Sequence, residues 1–519
     1  MPRCRLIRLC FCRLLICALL INNKGRNSMT RIMASVSVQL HTENMKCDPL
    51  DVYQLALGSS GPESVFILES LSGPSRDRKA TVIGFDPLFS VNVYEAYAEL
   101  EGGERLIGHL RHSLLERGIF LDGSRRVCID SNDAVWDLLR ALQAAFDIPR
   151  QSDPSLAFFG YLSYDCVRFV EEIPDLTERT NDYPIIALTV FQTLVYFHAN
   201  RTVEVMVNNC PLWETRGTDD YVALMADAAR MPIFDEQIVY PSVTVARDTV
   251  DKEQFLGWVD KALEHILKGD IYQIQLGHEV QVDTSVKPFD VYRTLRQNNP
   301  SPYMYLANLG GVDLIGASPE LFVRIKNELI EMRPIAGTVG KTSGIPSSEL
   351  ILSMTRSEKE RAEHLMLVDL CRNDIGRVCQ SGSLDVDELM LVEEYSHLYH
   401  MVSNVRGLLR AGLDAFDVIK ASFPAGTMTG APKIRAMQII EGMEINRRGI
   451  YAGAVGLIGF DGSVNTALCI RSAVHKEGTY YLRASAGVVA DSVPEHEWTE
   501  TFHKMGSVYR AVTGKEMLQ

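Results

Sequence analysis

Hydrophobic spacing divides the chain into regions with different periods. From Asp48 to about Pro232, short apolar runs such as SVFILES (Ser64–Ser70) and TVIGF (Thr81–Phe85) alternate with turn residues, which predicts a strand-rich region. One 3.6-residue pattern interrupts it. Val135, Leu138, Leu139, Leu142 and Phe146 share a face, predicting a helix over Ser131–Phe146, and the aromatic run Phe158–Asp165 returns to strand. Composition turns polar at Asn208–Asp220, a further helix is expected at Tyr221–Arg230, and MPIFDEQIVYPS after it reads as a linker, with a boundary near Asp235. The second half opens on an amphipathic helix, Lys252–Lys268, with Phe255, Val259, Leu263, Ile266 and Leu267 inside and Gly269 as its terminator. A strand, IYQIQLGHEVQV, follows. Helices are predicted from Glu358 to about Arg377, introduced by Ser357 with Glu360 three residues on, and from about Glu497 to Val512.

The stretch Phe423–Ile440, FPAGTMTGAPKIRAMQII, combines two patterns. Gly426 and Gly430 mark a tight loop, and Pro432 sets the first turn of a helix whose apolar side carries Ile434, Met437 and Ile440. Its N-terminus would present free N–H groups, so Thr427, Thr429 and Lys433 are candidates for holding a carboxylate or phosphate. A plain corner without ligand is the alternative, and Ile434 after Lys433 departs from the phosphate-loop pattern.

Composition narrows the classes. The 519 residues carry a formal charge of −14, which argues against nucleic-acid and anionic-membrane surfaces and requires local cations for any anionic substrate. Eleven cysteines without a CxxC pair suit free thiols in a reducing compartment, the cytoplasm. Residues 1–28 are basic and apolar without acids, but Arg8 and Arg13 break the apolar run. The expectation is a leader over residues 1–45 outside the fold, either disordered or from an upstream start, with translation beginning at Met29, Met33 or Met45.

Candidate chemistry lies in the second half. Glu360 and Glu363 share one helix face, and Glu497 and Glu500 another; four converging carboxylates need a cation, and oxygen-only donors suit Mg²⁺ or Ca²⁺. The plainer reading leaves Glu360 closing a capping box with Ser357, and Lys359–Glu363 and Glu500–Lys504 as solvated helix pairs. His364, His400, His496 and His503 are candidate acid–bases, His400 on an alternating strand with Val402 on the same face. Arg471, inside the apolar run TALCIRSAV, must find an anion, either a protein carboxylate or a substrate.

RPIAGT (Arg333–Thr338), EHLMLVDLCRNDIGRV (Glu363–Val378), GTMTGAPKIRAMQ (Gly426–Gln438), YAGAVG (Tyr451–Gly456) and AGVVADSVPEHEWTET (Ala486–Thr501) stand in an order that resembles the chorismate-utilising enzymes. The resemblance runs from about Val65 to the C-terminus and is nearest to anthranilate synthase component I. It implies an α+β fold of large, mainly antiparallel sheets flanked by helices, with a regulatory region (residues 46–235) packed on a chorismate-binding catalytic domain (residues 236–519). The implied reaction adds ammonia at ring C2 of chorismate with loss of the C4 hydroxyl, then eliminates pyruvate to give anthranilate. The implied cofactor is Mg²⁺ on Glu363, Glu500 and Glu497, with Glu360 alongside. Arg471, Tyr451 and the backbone at Gly487 take the enolpyruvyl carboxylate; Ala486, Gly337 and Thr427 complete the substrate site. His400 assists loss of the C2 proton, Glu320 and Thr338 line the site, and Glu360 is a possible acid for the leaving hydroxyl. Gln273 stands where isochorismate and salicylate synthases have a water-activating lysine, and Ala336 where many aminodeoxychorismate synthases have a nucleophilic lysine, so ammonia at C2 is favoured.

No GxCxG nucleophile elbow occurs, so ammonia comes from a separate subunit or from solution; the resemblance implies a glutamine amidotransferase subunit in a hetero-oligomer, a heterotetramer. A tryptophan-binding feedback pocket is implied at Glu69, Ser70, Pro302, Tyr303, Met304, Gly316 and Val455. Leu457 and Ala467 depart from common residues of that pocket, and Ser485 replaces a glycine near the active site. Within the family the alternatives are aminodeoxychorismate synthase component I and aminodeoxyisochorismate synthase; outside it, a catalytically dead regulatory homologue.

Overall fold

The computed structural model describes residues 31–41, 47–73, 80–148, 153–230, 238–241, 245–341, 346–394 and 398–517. Residues 1–30 and the boundary expected at Asp235 lie outside the described residues. Two long strands, Ala80–Val93 and Ile186–His198, pair antiparallel as the spine of the N-terminal half. Ser35–His41 joins them through Val203–Asn209, paired from Ser35↔Asn209 to His41↔Val203. This corrects the expected leader: residues placed in it form a sheet strand, because Val36 and Val38 meet an equally β-prone partner, VEVMVNN.

The two halves share one hydrogen-bonded sheet system. Phe66–Glu69 pairs with Met304–Ala307, and Ala157–Leu162 pairs with Ala454–Gly459. Every residue of Ala157–Leu162 is buried, which is why its sequence runs apolar without alternation. Gly160 permits this crowding: a Cβ there would stand 1.9 Å from the Ala187 carbonyl oxygen. The fold is therefore α+β, mainly antiparallel, with helices on its faces.

The periodic helices form close to their expected limits. Asn132–Gln143 buries Val135, Leu138, Leu139 and Leu142, with Trp136 against Phe416 of another helix, and it ends before Phe146, which lies in the strand Phe146–Asp147. Lys252–Leu267 buries Phe255 and Val259 as expected, and Gly269 follows at φ +80°. Leu267 is a correction. It is 85% exposed, since the core-facing stripe passes through Trp258 and Ala262 instead. Ile434 is likewise half-exposed, while Ala436, Met437, Ile439 and Ile440 face inward on Lys433–Met443. Among the described residues no helix is long and apolar enough to cross a membrane. The described cysteines are free thiols.

Beneath the sheet a carboxylate is held out of water by two arginines. Glu444 accepts from Arg448 (Nη2, 2.8 Å; Nε, 3.0 Å), Arg483 (Nη2, 2.7 Å) and the Gly277 amide (3.0 Å). Arg448 also donates to the carbonyls of Met428 (2.6 Å) and Gln275 (2.7 Å), so this cluster fixes both the loop after Phe423 and the strand Gln273–Asp283. Burial pushes the Glu444 carboxyl up, but Arg448 and Arg483 outweigh it and hold it below the usual range. Its contribution to stability is complete above the ordinary value of 4.5 and is lost as pH falls through the depressed one. Glu444→Ala leaves two buried guanidinium groups uncompensated and should cost about 3–5 kcal/mol. The check is a chemical-denaturation midpoint at pH 7; a shift below 1 kcal/mol, or a parent-to-variant difference that does not shrink in acid, contradicts the account.

Candidate active site

Two helices bring four carboxylates to one cleft. On Glu358–Gly376, Ser357 Oγ caps the Glu360 amide (3.3 Å), but the Glu360 carboxylate faces inward: a Cβ on Gly337 would stand 3.2 Å from its Oε2. Glu363 accepts from Gln273 Nε2 (3.2 Å), and burial, Glu360 and Glu500 all push its carboxyl up. On Pro494–Thr513, Glu497 is buried and raised by burial and Glu500, with a Ser492 hydrogen bond opposing. Glu500 pairs with Lys504 (2.5 Å), as the plainer sequence reading allowed. Among the described residues no three of these carboxylates lie within 4.8 Å of one another; that spacing is met by Asp153, His198 and Glu204 elsewhere. The four glutamates supply oxygens alone, two with carboxyls raised partly by their neighbours' charge, which fits a hard divalent cation such as Mg²⁺ drawn in among them.

Arg471 faces the same cleft, but not from within a strand. It sits at φ +51° in the turn between Val464–Leu468 and Ser472–Lys476, so the expectation of an in-strand arginine is corrected: the chain leaves the sheet there and aims the side chain off its face. Among the described residues its guanidinium has no hydrogen bond or ion pair. Burial pulls its pKa down, partly offset by Tyr451, Glu500 and Glu320. Tyr451 Oη donates to Ser485 Oγ (3.1 Å). Gly487, opposite Gln275 in the strand pair, lies close under two amides: a Cβ there would stand 2.9 Å from Gln275 Nε2 and 3.0 Å from Gln273 Nε2, so both side chains would have to shift; Ala486 beside it is buried. Lys504 Nζ donates to the Ser485 carbonyl (2.8 Å) and so ties Glu500 to this strand.

Two titratable groups are displaced in opposite senses. Burial and the Arg471 charge push His400 down to about 4, against a hydrogen bond to the Gly337 backbone, so its ring is neutral at pH 7. Burial raises Glu320 to about 8, with Thr427, Lys504 and Arg471 opposing, so it is a protonated acid at neutral pH. The Thr427 hydroxyl beside it completes no hydrogen bond of good geometry. Thr338 stands directly opposite His400 in the strand pair.

Other expectations are redirected. Lys433 is bound to buried Asp374 (2.7 and 2.8 Å), and Thr429 Oγ1 to the Ala425 carbonyl (3.1 Å), so of the predicted anion-loop residues only Thr427 reaches the cleft. His364 is fully buried between the Ala336 carbonyl and Ser403, and burial lowers its pKa; it is no acid–base in the cleft. His496 and His503 are exposed on the C-terminal helix. Sequence reasoning missed Lys504 and Gln275. Lys504 had the spacing of an ordinary i,i+4 partner, and Gln275 came forward only when strand register set it opposite Gly487.

The residues expected to hold tryptophan gather around one strand pair. Glu69, opposite Met304, accepts from Tyr292 Oη (2.7 Å) and Arg296 (2.9 and 3.1 Å), so its charge is met internally. Gly316 lies under the Tyr305 ring, Val455 is in the same apolar cluster as Tyr305, and Tyr303 Oη accepts from Arg324 (3.1 Å). Ser70 follows the strand Val65–Glu69 and Pro302 precedes the strand Tyr303–Leu309.

The family model for chorismate binding enzymes matches residues 113–510. The chain is 42% identical over 493 residues to 2-amino-4-deoxychorismate synthase of Streptomyces globisporus, covering 94% of this chain and 99% of the relative. It is 35% identical over 486 residues to anthranilate synthase component 1 of Pseudomonas aeruginosa, covering 89% and 92%. The structure matches that of anthranilate synthase component I from Streptococcus pneumoniae TIGR4 with a TM-score of 0.69 and 30% identity, covering 83% of this chain and 92% of that one. The ordered motifs, the fold and a match spanning most of the sequence make the chain a member of the chorismate binding enzyme family.

Proposed function

We propose that the chain adds ammonia to C2 of chorismate, expels the C4 hydroxyl, and eliminates pyruvate to give anthranilate. The observation that carries this reading is the unpaired Arg471 guanidinium in one cleft with four glutamates, a neutral His400 and a protonated Glu320. Chorismate is a dicarboxylate, and a −14 protein needs local positive charge to bind it. Mg²⁺, held by Glu363 and Glu500 with Glu497 and Glu360 alongside, would supply the charge that receives the ring carboxylate. Arg471, Tyr451 and the Gly487 amide receive the enolpyruvyl carboxylate, with Ala486, Gly337 and Thr427 shaping the wall.

As the C2–N bond forms and the C4–O bond breaks, Glu320 gives its proton to the departing oxygen, which leaves as water; Glu360 is the alternative donor. Among the described residues the buried Gln273 Oε1 has no hydrogen-bond partner, and it can accept an N–H of the incoming ammonia. His400 then takes the C2 proton while the C3–O bond breaks, leaving an aromatic ring and the enolate of pyruvate, which becomes pyruvate on taking up a proton at its methylene carbon. Its low resting pKa arises partly from Arg471, so a carboxylate docked on Arg471 makes His400 a stronger base when substrate is present. The naming of relatives as a component 1 supports ammonia delivery by a glutamine amidotransferase partner. The motif resemblance supports tryptophan feedback at Glu69–Ser70 and Pro302–Met304.

A second reading has its own support. The Streptomyces globisporus relative is named for a product that keeps the enolpyruvyl group, the intermediate of the first reading. The decisive experiment is a product assay on chorismate with Mg²⁺ and ammonium: anthranilate with stoichiometric pyruvate supports the first reading, 2-amino-4-deoxychorismate without pyruvate the second. Salicylate, 4-aminobenzoate or no turnover overturns both.

Glu500→Gln should abolish turnover at every Mg²⁺ concentration while leaving the helix intact. Arg471→Ala should raise KM for chorismate by at least about 100-fold, from the loss of two charge-assisted bonds of about 1.5–3 kcal/mol each. An unchanged KM removes Arg471 from the site.

For His400, a ¹H–¹³C NMR titration of the free enzyme should show a midpoint near 4 rather than 6.5. Because the native state resists protonation, the stability that His400 contributes is complete above pH 6.5 and is lost as pH falls from 6.5 to about 4. His400→Met removes that loss and should slow pyruvate release more than amination; equal slowing of both points to a packing role.

A further inference from the structure

The strand Leu398–Leu408, which carries His400, has an irregular neighbour on each side. On one side Ile335 pairs with Val402 and Thr338 with His400, so Ile335–Gly340 bulges by a residue at Ala336–Gly337. On the other, Asp387 pairs with Asn404 and Leu391 with Val402, so Asp385–Glu394 bulges over 388–390, with Glu388 at φ +55° and Met390 at φ +58°. Positive φ at residues with side chains is strained and persists only when neighbours hold it. Both bulges are held by the same two side chains. His364 Nδ1 lies 3.2 Å from the Ala336 carbonyl, His364 Nε2 lies 2.6 Å from Ser403 Oγ, and Ser403 Oγ accepts the Met390 amide at 2.9 Å. His364 is 0% exposed and Ser403 1%, so neither touches substrate.

We infer that His364 and Ser403 form a positioning pair that sets the relative placement of His400 and Glu360. A carbonyl oxygen only accepts, so Nδ1 carries the ring proton; Ser403, already accepting from Met390, gives its own proton to Nε2 and fixes that tautomer. The Nδ1 bond joins the helix bearing Glu360 and Glu363 to the bulge bearing Gly337. Gly337 in turn is the backbone partner of His400, and its bare face admits the Glu360 carboxylate. One buried pair thus couples the acidic helix to the strand opposite it. A well-packed but straight strand would place Gly337 on the other face, since register shifts of one residue invert side-chain direction.

The inference rests on the reading that His400 acts on chorismate, so its test has an arm independent of turnover. His364→Asn keeps an N–H donor at the Nδ1 position, whereas His364→Gln moves the amide outward to the Nε2 position and Ser403→Ala removes the proton that fixes the tautomer. Amide hydrogen exchange across residues 335–340 should speed up in His364→Gln and Ser403→Ala and stay near the parent rate in His364→Asn. Chorismate turnover should follow: kcat falls about 10- to 100-fold in the first two, with KM and the Mg²⁺ half-saturation near parent values, and His364→Asn restores most of it. In a His400→Met background, His364→Gln should add no further loss, as two residues acting through one step do not add. Equal exchange and equal kcat in the Asn and Gln variants overturn the inference, as does an additive double variant. A parent enzyme that leaves chorismate untouched overturns the proposed function instead, and the exchange arm still decides the positioning role.

Discussion

Taking an ion out of water costs several kcal/mol unless a partner of opposite charge comes with it, and most buried ions of this protein have one. Glu444 lies between Arg448 and Arg483, Arg333 beside Glu393, Lys433 on Asp374, and Arg296 on Glu69. Apart from Glu444–Arg448, four residues apart, these pairs tie segments distant in sequence, and the Glu444 cluster fixes the loop after Phe423 and the strand Gln273–Asp283. Against that background the exceptions stand out. Among the described residues Arg471 has no hydrogen bond or ion pair, Glu363 and Glu497 crowd toward Glu500, and Glu320 stays protonated because burial outweighs the opposing Lys504 and Arg471 charges. The site is where the protein leaves charge uncompensated, and a dianionic substrate with a divalent cation is the complement of that imbalance.

The sheet system explains how such a site holds its shape. Its strands run from the N-terminal half into the half that carries the cleft, with Glu69 paired to Met304 and Ala454 to Leu162. Several irregularities lie next to the candidate site: the bulges flanking His400, the positive φ of Arg471, and the close approach of Gly487 to Gln275 and Gln273. Regular pairing supplies rigidity, and local departures from it aim the functional groups.

Much of this was legible in the sequence. Period alone placed the helices at Asn132–Gln143, Lys252–Leu267, Glu358–Gly376 and Pro494–Thr513, because amphipathic burial is a local property of spacing. It failed at Leu267 and Ile434, apolar residues at the margins of their stripes, where the neighbouring element decides which way a helix turns its face. The i,i+3 pairs Glu360–Glu363 and Glu497–Glu500 were likewise visible, since three residues along a helix bring side chains to one side.

What the sequence could not determine was partnership across distance. The same lysine–carboxylate chemistry reads identically whether the pair lies on a solvated surface or in a core, and only the packed chain showed that Lys433 is consumed by Asp374 while Arg471 is left open. His364 looked like any candidate acid–base until its two ring nitrogens were found sealed between Ala336 and Ser403. Gln275 mattered only once register set it opposite Gly487. Spacing fixes what shares a face of one element; which faces meet, and therefore which charges are neutralised, depends on contacts hundreds of residues apart that no local pattern encodes.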